Sequence, residues 1–111
     1  MRRDCDVYLQ DILEAREKIG AYVGGMSRDA LAADGKTLDA VVRNLEIIGE
    51  AAKNVPEAVR AAHPEVKWKR ITGLRNILAH QYFGVDLDIV WDVVRNKVPA
   101  LAESMRRILG R

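Results

Sequence analysis

The chain has 111 residues, 49% of them hydrophobic and 31% charged, with a formal net charge of +2 at pH 7. That length gives one domain, residues 1–111, with a single core, and the composition excludes a disordered chain. So small a net charge makes no case for nucleic acid by itself, and a local basic cluster would have to carry one.

Cys5 is the single cysteine, which rules out an intrachain disulfide and suits a reducing cytoplasm. It is expected to be an unremarkable thiol near a frayed terminus. Charges at Arg2, Arg3, Asp4, Asp11 and Glu14 leave no signal-peptide core, and no apolar run approaches membrane-spanning length. The expectation is a small, soluble, cytoplasmic protein without membrane contact.

Taken in chain order, the pattern predicts helices and no convincing strand. From about Asp6 to Tyr22, Leu9, Ile12, Leu13, Arg16 and Ile19 mark a helical stripe that Gly24-Gly25 stops. Ser27 caps a short turn to Ala33, before Asp34-Gly35 breaks it. Thr37 is expected to cap the clearest helix, where Leu38, Val41, Val42, Leu45, Ile48, Gly49, Ala52 and Val55 follow i, i+3, i+4, i+7 spacing. Pro56 fits the first residue of a following turn, and His63-Pro64 makes a firm stop. A third main helix should run from near Val66 to about Gly84. Asp86 or Asp88 caps the last, with Leu87, Val90, Trp91, Val94, Val98, Leu101, Met105 and Ile108 inward and a kink at Pro99. Four main helices with short connections imply an all-α antiparallel four-helix bundle with short extra helical turns.

The third helix carries the chemistry. At about 100° per residue, Ile71, Leu74, Ile77 and Leu78 share one arc, the core stripe. Tyr82, Arg75, Ala79, Asn76 and His80 share the opposite arc, with small Thr72, Gly73 and Ala79 among them. Tyr82 lies over Arg75 at i+7, His80 over Asn76 at i+4, and Trp68 projects on the side of Arg75. A fixed cation, a group titrating near neutrality and a phenol on one face could handle a phosphodiester. Beside them, Lys67, Trp68, Lys69 and Arg70 form a candidate RNA-docking run, with Trp68 available for stacking. Glu50 and Lys53 suit a structural contact, and His63 a loop. The two histidines, His63 and His80, lie far apart and no paired His with a carboxylate has ligand spacing, so no metal site is expected. Gly24-Gly25 lacks the Lys-Ser/Thr of a phosphate loop. No cofactor is expected.

The order Arg75-x4-His80-x-Tyr82 on the third main helix resembles the HEPN superfamily and, within it, the HepT-like toxins that partner minimal nucleotidyltransferases. Ile48-Gly49-Glu50-Ala51-Ala52-Lys53, Trp68-Lys69-Arg70-Ile71-Thr72-Gly73-Leu74-Arg75-Asn76 and His80-Gln81-Tyr82-Phe83-Gly84-Val85-Asp86 extend the resemblance, which spans about Asp4 to Ile108. A bare Arg-x4-His is weak, but the extended block in the matching helix order is strong.

The resemblance implies a metal-independent endoribonuclease toxin, a homodimer whose two motifs face each other across one cleft. It also implies a nucleotidyltransferase antitoxin that neutralises the toxin by binding or by AMP transfer to the tyrosine matched by Tyr82. The residues make chemical sense of this. RNA supplies its own 2′-hydroxyl nucleophile, so protons must be moved and charge stabilised. His80 can transfer a proton near neutrality, Arg75 offers a planar fork to the scissile phosphate, and Asn76 can orient His80 or contact that phosphate. Two histidines, one per subunit, would serve as base and acid. A different class of function also fits the sequence: a non-catalytic helical dimer that binds nucleotide and regulates a nucleotidyltransferase.

Overall fold

The computed structural model describes residues 2–80 and 86–110, with side chains over 5–74 and 86–110. The chain forms an antiparallel bundle of four main helices, and no strand occurs among the described residues. The first helix, α1 (Arg2–Val23), begins earlier than its stripe requires. Its core face includes Cys5, Leu9, Ile12, Ala15, Ile19 and Val23, all buried and spaced at three or four residues. Cys5 is therefore no terminal bystander but a core residue, 6% exposed. Burial first, and Asp6 second, push its thiol pKa above the ordinary value, which leaves it a packed, unreactive group. Gly24, at φ +50°, turns the chain out of α1 in the left-handed region that suits glycine.

Ser27 caps α2 (Arg28–Ala33), its Oγ accepting from the Ala30 amide at 3.1 Å. The helix is two turns long and plants Leu31, fully buried, in the core. The cap of α3 (Gly35–Asn54) is Asp34, not Thr37: the Asp34 carboxylate accepts from the Thr37 amide at 3.1 Å, so the helix starts two residues before Thr37. Asp34 and Thr37 stand as cap and third helical residue, an arrangement either could have been read to lead. Val41, Leu45, Ile48 and Ala52 are fully buried along α3 as their spacing requires.

Pro56 precedes α4 (Glu57–Ala62), and His63 ends it. Asp86 caps α6 (Leu87–Asp92), accepting from the amides of Asp88 and Ile89 at 3.0 and 3.2 Å. A π-helical turn, Val93–Lys97, then joins α6 to α7 (Val98–Leu109) without a break. Pro99 accounts for it. Proline lacks an amide hydrogen and its ring crowds the carbonyl four residues back, and a wider turn relieves both. The Val98 amide accordingly bonds to the Val93 carbonyl, five residues back.

In the packing, α3 lies between α1 and the third main helix, α5 (Trp68–His80), while α1 also packs on α7. The short α2 reaches both α3 and α6, where Arg28 Nε donates to Asp88 Oδ1 at 2.6 Å. Among the described residues no helix is long and apolar enough to cross a membrane.

Candidate active site

Helix α5 is built from its first turn upward. The Lys67 carbonyl accepts from the amides of Arg70 and Ile71 at 3.0 and 3.1 Å, so helical pairing begins there rather than at Val66. Ile71 is buried and Leu74 packs partly buried against the same core. The core arc read from the sequence is thus the arc that meets the bundle, as far as Leu74.

From that register the backbone carries Arg75, Asn76 and His80 on one uninterrupted helix. Arg75 and His80 are separated by about 7.5 Å along the axis and about 140° around it. By register Asn76 and His80 fall on the side away from Ile71 and Leu74, while Arg75 falls about 40° from Ile71 at the edge of the core arc. Tyr82, Phe83 and the expected helix end at Gly84 lie outside the described residues.

The basic run divides. Lys67, Lys69 and Arg70 are exposed, as a docking surface requires. Trp68 is not. Its ring is 7% exposed, and its indole Nε1 donates to the His63 carbonyl at 3.0 Å. It cannot offer a face for a base to stack on, and its assignment as an RNA-stacking residue is corrected here. The reason is that Trp68 joins the hydrophobic core cluster with Val66 and Ile71 while the α4–α5 connection takes up its indole N–H. The i, i+3 spacing of Trp68 and Ile71 is the signal that marked Trp68 as core, and Val66 is buried with it.

Register further separates the exposed cations. Lys69, Gly73, Asn76 and His80 follow i, i+4, i+7, i+11 spacing and lie along one stripe. Arg70 aligns with Ile77 at the border of the core arc. Around Gly73 the protein leaves open space: a Cβ built there meets nothing within 4 Å. His63 has an ion-pair neighbour, Glu65, 3.5 Å from its Nδ1, and its carbonyl holds Trp68. It serves the loop, as expected.

An all-α bundle whose third helix bears Arg-x4-His matches a family model described as ribonuclease HepT-like over residues 12–108. The chain belongs to this HepT-like family of the HEPN superfamily. Among its relatives, a protein named probable ribonuclease HepT from Thermococcus cleftensis is 39% identical over 97% of this chain and 98% of its own length. A Methanocaldococcus jannaschii protein provisionally named an RNase is 42% identical over 97% of this chain and 89% of its own. Another provisionally named RNase, from Caldanaerobacter subterraneus subsp. tengcongensis, is 41% identical over 94% of this chain and 93% of its own. No solved structure gave a significant match.

Proposed function

We propose that this chain is the toxin of a toxin–antitoxin pair, an endoribonuclease that cuts RNA without a metal in a cleft between two copies of α5. The observation that carries the reading is membership of a ribonuclease family over a stretch that contains Arg75 and His80 on one continuous helix. In this mechanism His80 takes the 2′-hydroxyl proton or protonates the leaving 5′-oxygen, its counterpart in the second subunit doing the other. Arg75 holds the phosphate as charge builds on it, and Asn76 orients His80 or the phosphate. The 2′-oxygen attacks phosphorus, the P–O5′ bond breaks, and the 5′ fragment keeps a 2′,3′-cyclic phosphate.

Expression of the chain alone should arrest growth, and His80→Ala should remove both the arrest and about a hundredfold or more of the cleavage rate. Arg75→Lys should not rescue an Arg75→Ala loss, because a point charge replaces a two-pronged donor. Activity should survive EDTA. Cleavage that requires added magnesium and leaves a plain 3′-hydroxyl would overturn the mechanism, and a harmless, inactive chain that still binds a nucleotidyltransferase would leave the regulatory-subunit reading.

For control, the proposed partner is a nucleotidyltransferase antitoxin that places AMP on Tyr82. On a helix continued past His80, Tyr82 falls over Arg75 at i+7, so an anion on its hydroxyl would compete for the guanidinium and repel RNA. Co-expression followed by intact mass should show AMP additions that Tyr82→Phe abolishes. A neutralised but unmodified chain would assign neutralisation to binding alone.

A further inference from the structure

Trp68 is a core residue at the very end of its helix. It is the first residue of α5 and falls on the same helical side as Arg75, two turns away, about 10.5 Å along the axis. Trp68 stands three residues before buried Ile71 and is only 7% exposed as a member of the same core cluster. Three bonds tie the α4–α5 connection together. The His63 carbonyl accepts both the Trp68 indole at 3.0 Å and the Val66 amide at 3.2 Å, and the Val66 carbonyl accepts the Trp68 amide at 2.9 Å. Pro64 holds His63 out of helical geometry, at φ −128° and ψ 64°, which points its carbonyl back at the new helix.

We propose that Trp68 is a positioning residue for the reaction, its indole bond to His63 fixing the rotation and axial setting of α5 and thereby of Arg75 and His80. The inference rests on the ribonuclease reading above. The physical case is that α5 has α3 as its principal neighbour among the described residues. Packing chiefly on one helix leaves sliding and rolling as the softer motions, and one rigid, bonded anchor at the end of the helix restrains both. A catalytic pair held by a helix that rolls loses alignment without losing its fold, and small misplacements of reacting groups are costly in rate.

The test replaces Trp68 with Phe, which keeps an aromatic ring in the pocket and removes the donor. The His63 carbonyl retains the Val66 amide, so no acceptor is orphaned. Leu101→Ala, a core truncation in α7, is the control for stability loss alone. At a temperature well below both melting points, Trp68→Phe should lower kcat about tenfold on a short RNA with KM changed less than about twofold, while Leu101→Ala leaves kcat unchanged. If Trp68→Phe fails to fold, β-(3-benzothienyl)alanine in place of Trp68 keeps the shape, lacks only the N–H, and should give the same loss. A kcat equal to that of the parent in either variant overturns the proposal. If the parent itself cleaves no RNA, the ribonuclease reading falls separately, and amide hydrogen exchange then decides. Protection lost selectively over residues 69–74 upholds the anchor, and unchanged protection there overturns it.

Discussion

Adjacent residues at the start of α5 have opposite fates. Trp68 is enclosed while Lys67, Lys69 and Arg70 stay in water. Of these, Lys69 shares its stripe with Gly73, Asn76 and His80, whereas Arg70 is turned about 100° toward the core border. An RNA strand engaged at Asn76 and His80 would therefore continue over Gly73 to Lys69. Lys69→Ala should weaken RNA binding and lower the salt slope of its affinity by about 1, the signature of one lost phosphate contact. Arg70→Ala should leave the slope unchanged. Fluorescence anisotropy of a short labelled RNA between low and moderate salt reads both, and equal effects from the two variants would remove the proposed track.

Helix periods were legible in the sequence where an apolar stripe met a core, as in α3, whose predicted positions Val41, Leu45, Ile48 and Ala52 are all fully buried. Caps and enclosure were harder. Asp34 and Thr37 both carry capping oxygens, and the choice between them depends on backbone geometry that composition does not encode. Trp68 aligns with Arg75 at i+7, which suggests a polar side, but it also precedes Ile71 by three residues, and the core takes it in. The motif itself was legible as a pattern, though the side-chain geometry of Arg75, Asn76 and His80 was not read from periodicity. The Asp34 cap carries a pH prediction. The Thr37 amide holds the Asp34 carboxylate below its ordinary pKa, so its stabilisation is complete above the unfolded value near about 4 and fades as pH falls through the lower folded value. Asp34→Ala should lower the melting temperature by several degrees at pH 7, with the gap to the parent closing as the pH drops below about 4. A gap independent of pH would mean that the carboxylate is not the stabilising form.

At the scale of the whole molecule, α5 packs on α3, and its register turns Asn76 and His80 away from the Ile71–Leu74 stripe. The proposed mechanism needs a second histidine there, which a two-fold pairing of α5 with its copy would supply. Gly73 gives this a sharper form. Glycine inside a helix costs about 1 kcal/mol relative to alanine, and among the described residues nothing lies within 4 Å of where its Cβ would be. Among the described residues the fold makes no contact that needs the missing methyl, and the proposed cleft would use it for close approach by a partner helix or by RNA. Light scattering should give about twice 12.4 kDa for the parent. Gly73→Ala should stabilise the single subunit by about 1 kcal/mol through helix propensity and raise the dimer dissociation constant by about tenfold or more through crowding. These opposite signs distinguish an interface glycine from a merely tolerated one. A parent that is a clean monomer would remove the composite cleft, and a Gly73→Ala chain that dimerises as the parent does while losing RNA affinity would assign the close approach to RNA instead.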